Sequence, residues 1–148
     1  YAHKISYALK DDVETKKSFK GVYARDELPT SFTKPACFVM NTQPRGKEGE
    51  HWLAFYYDAR GRCEFFDSYA LHPAFYNLED YLNNTSTSWC YNEKRLQGKS
   101  DHCGYYCIIF LYFRCRNQSK MLFQSFTNDH QLNDRKIDNY IKNATKLV

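Results

Sequence analysis

The sequence predicts an α+β fold, a mixed or antiparallel sheet packed on helices, and three stretches predict it. His51 to Tyr57, HWLAFYY, and Arg62 to Asp67, RCEFFD, are aromatic-rich runs around Asp58-Ala59-Arg60-Gly61, the pattern of a β-hairpin. Tyr105 to Phe113 is apolar almost throughout, long for a strand and free of Gly and Pro, so it predicts a buried helix beginning near Cys103. Asp134 to Lys146 is polar, with Ile137, Tyr140 and Ile141 as the stripe of a closing helix.

The remaining elements follow in order. Residues 1–17 carry Ile5, Ala8, Leu9 and Val13 at roughly helical spacing, which predicts a short amphipathic helix. Phe19 to Pro29 reads as a Gly-led turn into an irregular segment, and Ala36 to Asn41 as a short buried strand. Thr42 to Glu50 is a charged, turn-rich loop. A three-residue hairpin loop at 58–60 pairs Tyr57 with Gly61 and places His51 directly opposite Asp67. A slip of one residue would send the two to opposite faces. Residues 74–83 have helical spacing in Phe75, Leu78 and Leu82, and Ser88 to Glu93 reads as a strand. A polar loop with Gln97 then leads to Cys103-Gly104. No repeat or linker interrupts the pattern, so one domain is expected over residues 1–148.

Composition narrows the class. At 148 residues with 18% aromatic side chains, thirteen Tyr and eleven Phe, the chain is expected to fold around its own core rather than stay disordered. The apolar run Tyr105–Phe113 stops at Arg114, short of a membrane span, so no membrane partner is expected. The N-terminus lacks the basic head and apolar middle of a signal peptide. Cys37, Cys63, Cys90, Cys103, Cys107 and Cys115 include no CxxC pair, and a chain of this size needs no staples. The expectation is reduced thiols, an intracellular protein and a monomer. A zinc site using Cys103, Cys107 and His130 has no supporting spacing. Residues 91–120 carry six Lys and Arg against two acids, a net +4 that could draw DNA or an acidic peptide.

Four residues form a set with one chemistry. Thiol proteolysis needs a nucleophile, a base, a group orienting the base, and donors for the oxyanion. Cys103 at a helix start gains from the positive end of the macrodipole, His51 supplies the base, and Asp67 can hold its tautomer. Gln97 can offer its amide to the oxyanion beside the Cys103 backbone N–H. Asp101 reads as the helix N-cap, and His102, the sequence neighbour of the thiol, is badly placed to face it.

FKGVYARDELP, CFVMNTQPRGKEGEHWLAFYYD, CEFFDSYA and QGKSDHCGYYCIIFL resemble blocks of adenain, the adenovirus maturation protease, and more distantly the SUMO-deconjugating proteases. The resemblance runs from about Phe19 to Leu111, with a weaker echo in the final helix. It implies the papain-like cysteine protease fold of the adenain and SUMO-protease type, with His51, Asp67, Gln97 and Cys103 as catalytic residues. It implies Trp52 beside the active site, no required cofactor, and protein substrates with glycine before the cut in Gly-Gly or Gly-X-Gly contexts. It also suggests an activating peptide disulfide-linked at Cys90, and DNA as an activator. Adenain has Glu where Asp67 stands, whereas the SUMO proteases have Asp, and this chain is shorter after Cys103. The expected source is a virus, virophage or virus-like transposon, acting in virion, host nucleus or cytoplasm on capsid precursors.

A narrow passage beside Cys103-Gly104, roofed by Trp52, Tyr105 and Tyr106, would explain a glycine preference physically, with Gly104 and Trp52 binding substrate. Processing of ubiquitin-like modifiers is the alternative activity. An acyltransferase and an inactive binding module are further classes, disfavoured by the missing cofactor insert and by the complete set of four residues.

Overall fold

Strand alternation sorts the core into two layers. The computed structural model describes residues 1–46 and 51–145. In it β2 (Ala36–Asn41), β3 (Trp52–Tyr57) and β4 (Arg62–Phe66) form the middle of a sheet flanked by β1 (Phe19–Ala24) and β5 (Ser88–Tyr91). Cys37, Val39, Trp52, Ala54 and Phe66 face the side covered by α1 (Ala2–Asp11), α3 (Cys103–Cys115), α4 (Ser119–Ser125) and α5 (His130–Ala144). Phe38, Met40, Leu53, Phe55, Tyr57, Cys63 and Phe65 face the other, with Leu82 of α2 (Glu79–Thr85). Strands buried on both faces read as continuous apolar runs, which is why β2 and β3 are apolar almost throughout.

The strands lie in sequence order across the sheet, β1–β2 and β4–β5 parallel, β2–β3 and β3–β4 antiparallel. The ends of β1, β2, β4 and β5 therefore share one edge with the start of β3. His51 precedes β3, Asp67 follows β4, and the Gln97 loop follows β5, so all three reach that edge. On the helical side α3 buries nine of its thirteen residues. Phe110 stacks on Phe66 with centroids 4.6 Å apart, and Tyr112 Oη donates to Ala8 O at 2.8 Å. Packing on both sheet and α1 thus fixes where α3 begins.

Several expectations need correction. Phe19–Ala24 is a strand, not a turn; its residues are mostly half-buried at a sheet edge, and Gly21, at φ +150°, marks a register shift, so no alternation betrays it. The hairpin pairs Tyr57 with Cys63, two residues beyond the expected register, because the loop is 59–61 with Gly61 at φ +81°. Residues 74–83 split into a 3-10 turn, Pro73–Tyr76, and α2, separated by Asn77 at φ +58°. Phe75 is exposed, as is Val13 after α1. The closing helix starts earlier, at His130, where Asp129 accepts from Leu132 N. Its expected end, Lys146, and residues 47–50 of the predicted loop lie outside the described residues. The short α4 was not expected from the sequence.

Candidate active site

Asp67 is the most heavily bonded carboxylate at this edge. Its Oδ1 lies 2.7 Å from His51 Nε2 and accepts from Tyr69 N at 3.0 Å. Its Oδ2 accepts from Tyr76 Oη at 2.6 Å and Leu71 N at 3.2 Å. Asn92 holds its backbone from both sides, accepting from Asp67 N and donating to Asp67 O. Burial pushes the Asp67 carboxyl up, but the His51 hydrogen bond and charge, with Tyr76 and Tyr69, hold it below its ordinary value. It stays charged.

His51 reads the same contact from the other side. Burial pulls its pKa down, yet hydrogen bonds and charges from Asp67 and Cys103 outweigh burial and raise it to about 9. Nε2 is committed to Asp67, and the Cys103 thiol acts on the same ring. The ring lies flat on Tyr69, centroids 4.9 Å apart at 26°. Cys103 opens α3, so its side chain sits at the positive end of a helix thirteen residues long. Asp101 does not cap this helix: the capping position is His102, without a side-chain bond to the backbone there. Cys107, one turn on, is fully buried and its thiol is pushed up by burial.

Gln97 is buried and its amide orientation is set by two neighbours. Its Oε1 accepts from Ser68 Oγ at 2.6 Å, and its Nε2 donates to Ser100 O at 2.7 Å. One N–H of Nε2 remains to meet an oxygen. The backbone N–H groups of Leu96 and Gln97 both donate to Ser68 O. Ser68 follows Asp67, so one turn of chain positions both the acid and the amide.

The aromatic roof differs from expectation. Tyr106 is buried and turns inward, its Oη 2.8 Å from Asp134 Oδ1. Tyr1 takes its place, stacked on Trp52 with centroids 6.3 Å apart and beside Tyr105 at 6.1 Å. Gly104 lies under that ring, where an added Cβ would collide with Tyr1. Trp52 is itself buried in the helical-side core. His102 faces away, with Nε2 2.8 Å from Asp138 Oδ1. Cys90 is exposed on β5; partial burial and Glu64 push its thiol up. A cavity of about 400 Å³ opens beside His51, walled by Arg25, Thr42, Gln43, Leu71 and Phe75. Among the described residues no group of three or more His, Cys, Asp or Glu is placed to hold a metal, and no helix is long and apolar enough to cross a membrane.

No family model and no curated protein matches the chain. Solved structures do. ChlaDub1 from Chlamydia trachomatis aligns at TM-score 0.54 and 14% identity over 74% of this chain and 60% of its own. The ASFV pS273R protease aligns at 0.50 and 24% identity, over 76% and 45% respectively. The central domain of the uncharacterized Lpg1148 protein from Legionella pneumophila aligns at 0.55 and 13% identity, over 97% and 96%. The chain has the papain-like fold of the adenain and SUMO-protease type. It spans about three fifths of ChlaDub1 and under half of pS273R.

In this papain-like frame His51, Asp67 and Cys103 meet in one place, and Gln97 stands on the loop before α3. Sequence reasoning missed the residues around them. Ser68 had a local signal, adjacency to Asp67; Asn92, Tyr76, Asn133 and Asp134 had none, because they arrive from distant elements.

Proposed function

We propose that the chain is a cysteine peptidase that cleaves after glycine, with Cys103 as nucleophile. One observation carries the reading: the buried His51 ring is bonded to Asp67 through Nε2, and the Cys103 thiol at the start of α3 is close enough to the same ring to raise its pKa. In this reading His51 takes the thiol proton and Cys103 Sγ attacks the scissile carbonyl. The oxygen of the tetrahedral intermediate meets the Cys103 backbone N–H and the remaining N–H of Gln97. His51 then returns its proton to the leaving amine, and water, activated by the same ring, hydrolyses the thioester. Asp67 orients the imidazole and stabilises its cation without taking the proton.

Glycine selectivity is supported by the aromatic layer of Trp52, Tyr1 and Tyr105 over Gly104. Such a wall leaves room for main chain but little for a side chain, and extended main chain is then read by backbone hydrogen bonds. Substrates are Gly-Gly or Gly-X-Gly-like sites, of the kind expected in viral or mobile-element capsid precursors. A peptide library varied at the residue before the cut, with kcat/KM measured, tests this. Gly should exceed Ala by tenfold or more, about the worth of one or two methyl-sized clashes; a preference for Arg, Leu or Phe would contradict it. Cleavage of a Gly-Gly-terminated ubiquitin-like fusion but no short peptide would favour modifier processing.

A further inference from the structure

The Gln97 loop is held by the last helix as well as by the sheet edge. Asn133 Nδ2 donates to Leu96 O at 3.1 Å, and Gly98 N donates to the Asp134 carboxylate at 3.1 and 3.2 Å. Tyr106 Oη donates to Asp134 Oδ1 at 2.8 Å. On the other side Leu96 N and Gln97 N donate to Ser68 O, and Arg95 Nε donates to Gln97 O. Five of the six backbone polar groups of Leu96–Gly98 thus have a partner in the protein. The approach is close enough to dictate residue 98. An added Cβ at Gly98 would lie 2.8 Å from Asp134 Oδ2 and 3.3 Å from the His130 carbonyl carbon.

Asp134 is out of place as a packing residue. It sits at helical spacing with Ile137 and Ile141 on the buried stripe of α5, 8% exposed. A carboxylate there costs free energy unless hydrogen-bonded, and a third aliphatic side chain would bury more apolar area. Its partners are the amide of the residue after Gln97 and a phenol from the helix that Cys103 begins. Asn133 is equally committed, its amide also engaging both N and O of Thr127.

We propose that Asp134, supported by Asn133, is a positioning residue for the oxyanion donor, so that α5 serves the reaction without touching substrate. The inference rests on the reading of Gln97 as that donor. A donor stabilises a developing oxyanion in proportion to how firmly it is aimed before the reaction, and tenths of an ångström matter. Without Asp134, the Gln97–Gly98 peptide loses its anchor on α5, and Gln97 keeps its chemistry but not its aim.

The test uses the full chain with Asp134→Ala, Asp134→Asn and Gln97→Ala. Three quantities are measured: kcat and KM on a glycine-site peptide; the inhibition constant of the matching peptide aldehyde, whose hemithioacetal places an oxygen in the hole; and the rate of Cys103 alkylation by iodoacetamide, which forms no oxyanion. Asp134→Ala should lower kcat and weaken the aldehyde by similar factors, about 10–100-fold, as loss of an outer partner of a functional group does. KM and alkylation rate should change by no more than about twofold, since they do not use the hole. Asp134→Asn keeps an oxygen acceptor for Gly98 N and should recover most of the loss. If Asp134→Ala fails to fold, Tyr106→Phe carries the same test with a several-fold effect. Equal loss of alkylation rate, or unchanged kcat and aldehyde affinity while Gln97→Ala suffers, overturns the inference alone. Unchanged aldehyde affinity in Gln97→Ala overturns the oxyanion reading and the inference with it.

Discussion

His51 Nε2 stands 2.7 Å from Asp67 Oδ1, and that contact governs how the site titrates. The raised pKa of His51, about 9 against an ordinary 6.5, means the imidazolium is favoured by the fold. Its contribution to stability is complete below about 6.5 and is lost as pH rises through about 9. In the proposed mechanism the proton that His51 gives to the leaving amine is lost over the same range. The basic limb of kcat/KM is therefore expected near pH 9. In Asp67→Asn the limb should move down toward the ordinary value, with a rate loss of about 10²–10⁴-fold. A limb that stays in place would mean that another group titrates.

The Gln97 amide has its direction set by Ser68. Gln97→Ala should lower kcat about 10²–10³-fold, the usual cost of one oxyanion donor. Ser68→Ala leaves the amide in place but unlocks its orientation, so a smaller loss, on the order of 10-fold, is expected. Steady-state kinetics on one peptide compares the two, and equal losses would mean that Ser68 supports more than the amide.

How much of this the sequence held depends on what each signal encodes. The hairpin was legible because aromatics and Gly61 mark it. Its register was not: the loop is 59–61, and every pair moves by two residues. An even shift preserves the face, so His51 and Asp67 still meet diagonally instead of directly opposite. α3 was legible as an unbroken apolar run. β1 was hidden by half-burial at a sheet edge, and the Asp134 contact by distance, since Gly98 and Asp134 are 36 residues apart. Tyr106 looked like a roof from its place after Gly104, yet helical geometry turned it inward to Asp134.

Thiol reactivity should not follow exposure. Cys90 is exposed, but partial burial and Glu64 push its thiol up; Cys103 is only 7% exposed but neighbours the His51 ring whose pKa it helps raise. Brief alkylation at neutral pH, mapped by mass spectrometry, should modify Cys103 before Cys90. Cys90→Ser should leave activity unchanged in the absence of added peptide. Earlier labelling of Cys90 would support it as the reactive attachment point for an activator.

Duplex DNA is expected to leave kcat/KM unchanged at low salt. Three cations of the basic 91–120 window are engaged inside the protein: Arg114 with Glu64, Arg116 with Asp12, and Arg95 with Gln97 O. A salt-sensitive rise in activity with DNA would show that the remaining lysines suffice.

In the proposed function Cys103 is a nucleophile activated by His51 and reached by a glycine-ended chain. A peptide ending in Gly-Gly and carrying an electrophile in place of the scissile bond tests it in one measurement, the site and rate of adduct formation by mass spectrometry. A single adduct on Cys103 is predicted, absent in Cys103→Ala and at least about 10²-fold slower in His51→Ala, since the base and nucleophile act as a unit. An adduct on Cys90 or Cys115, or one on Cys103 formed equally fast without His51, would contradict it.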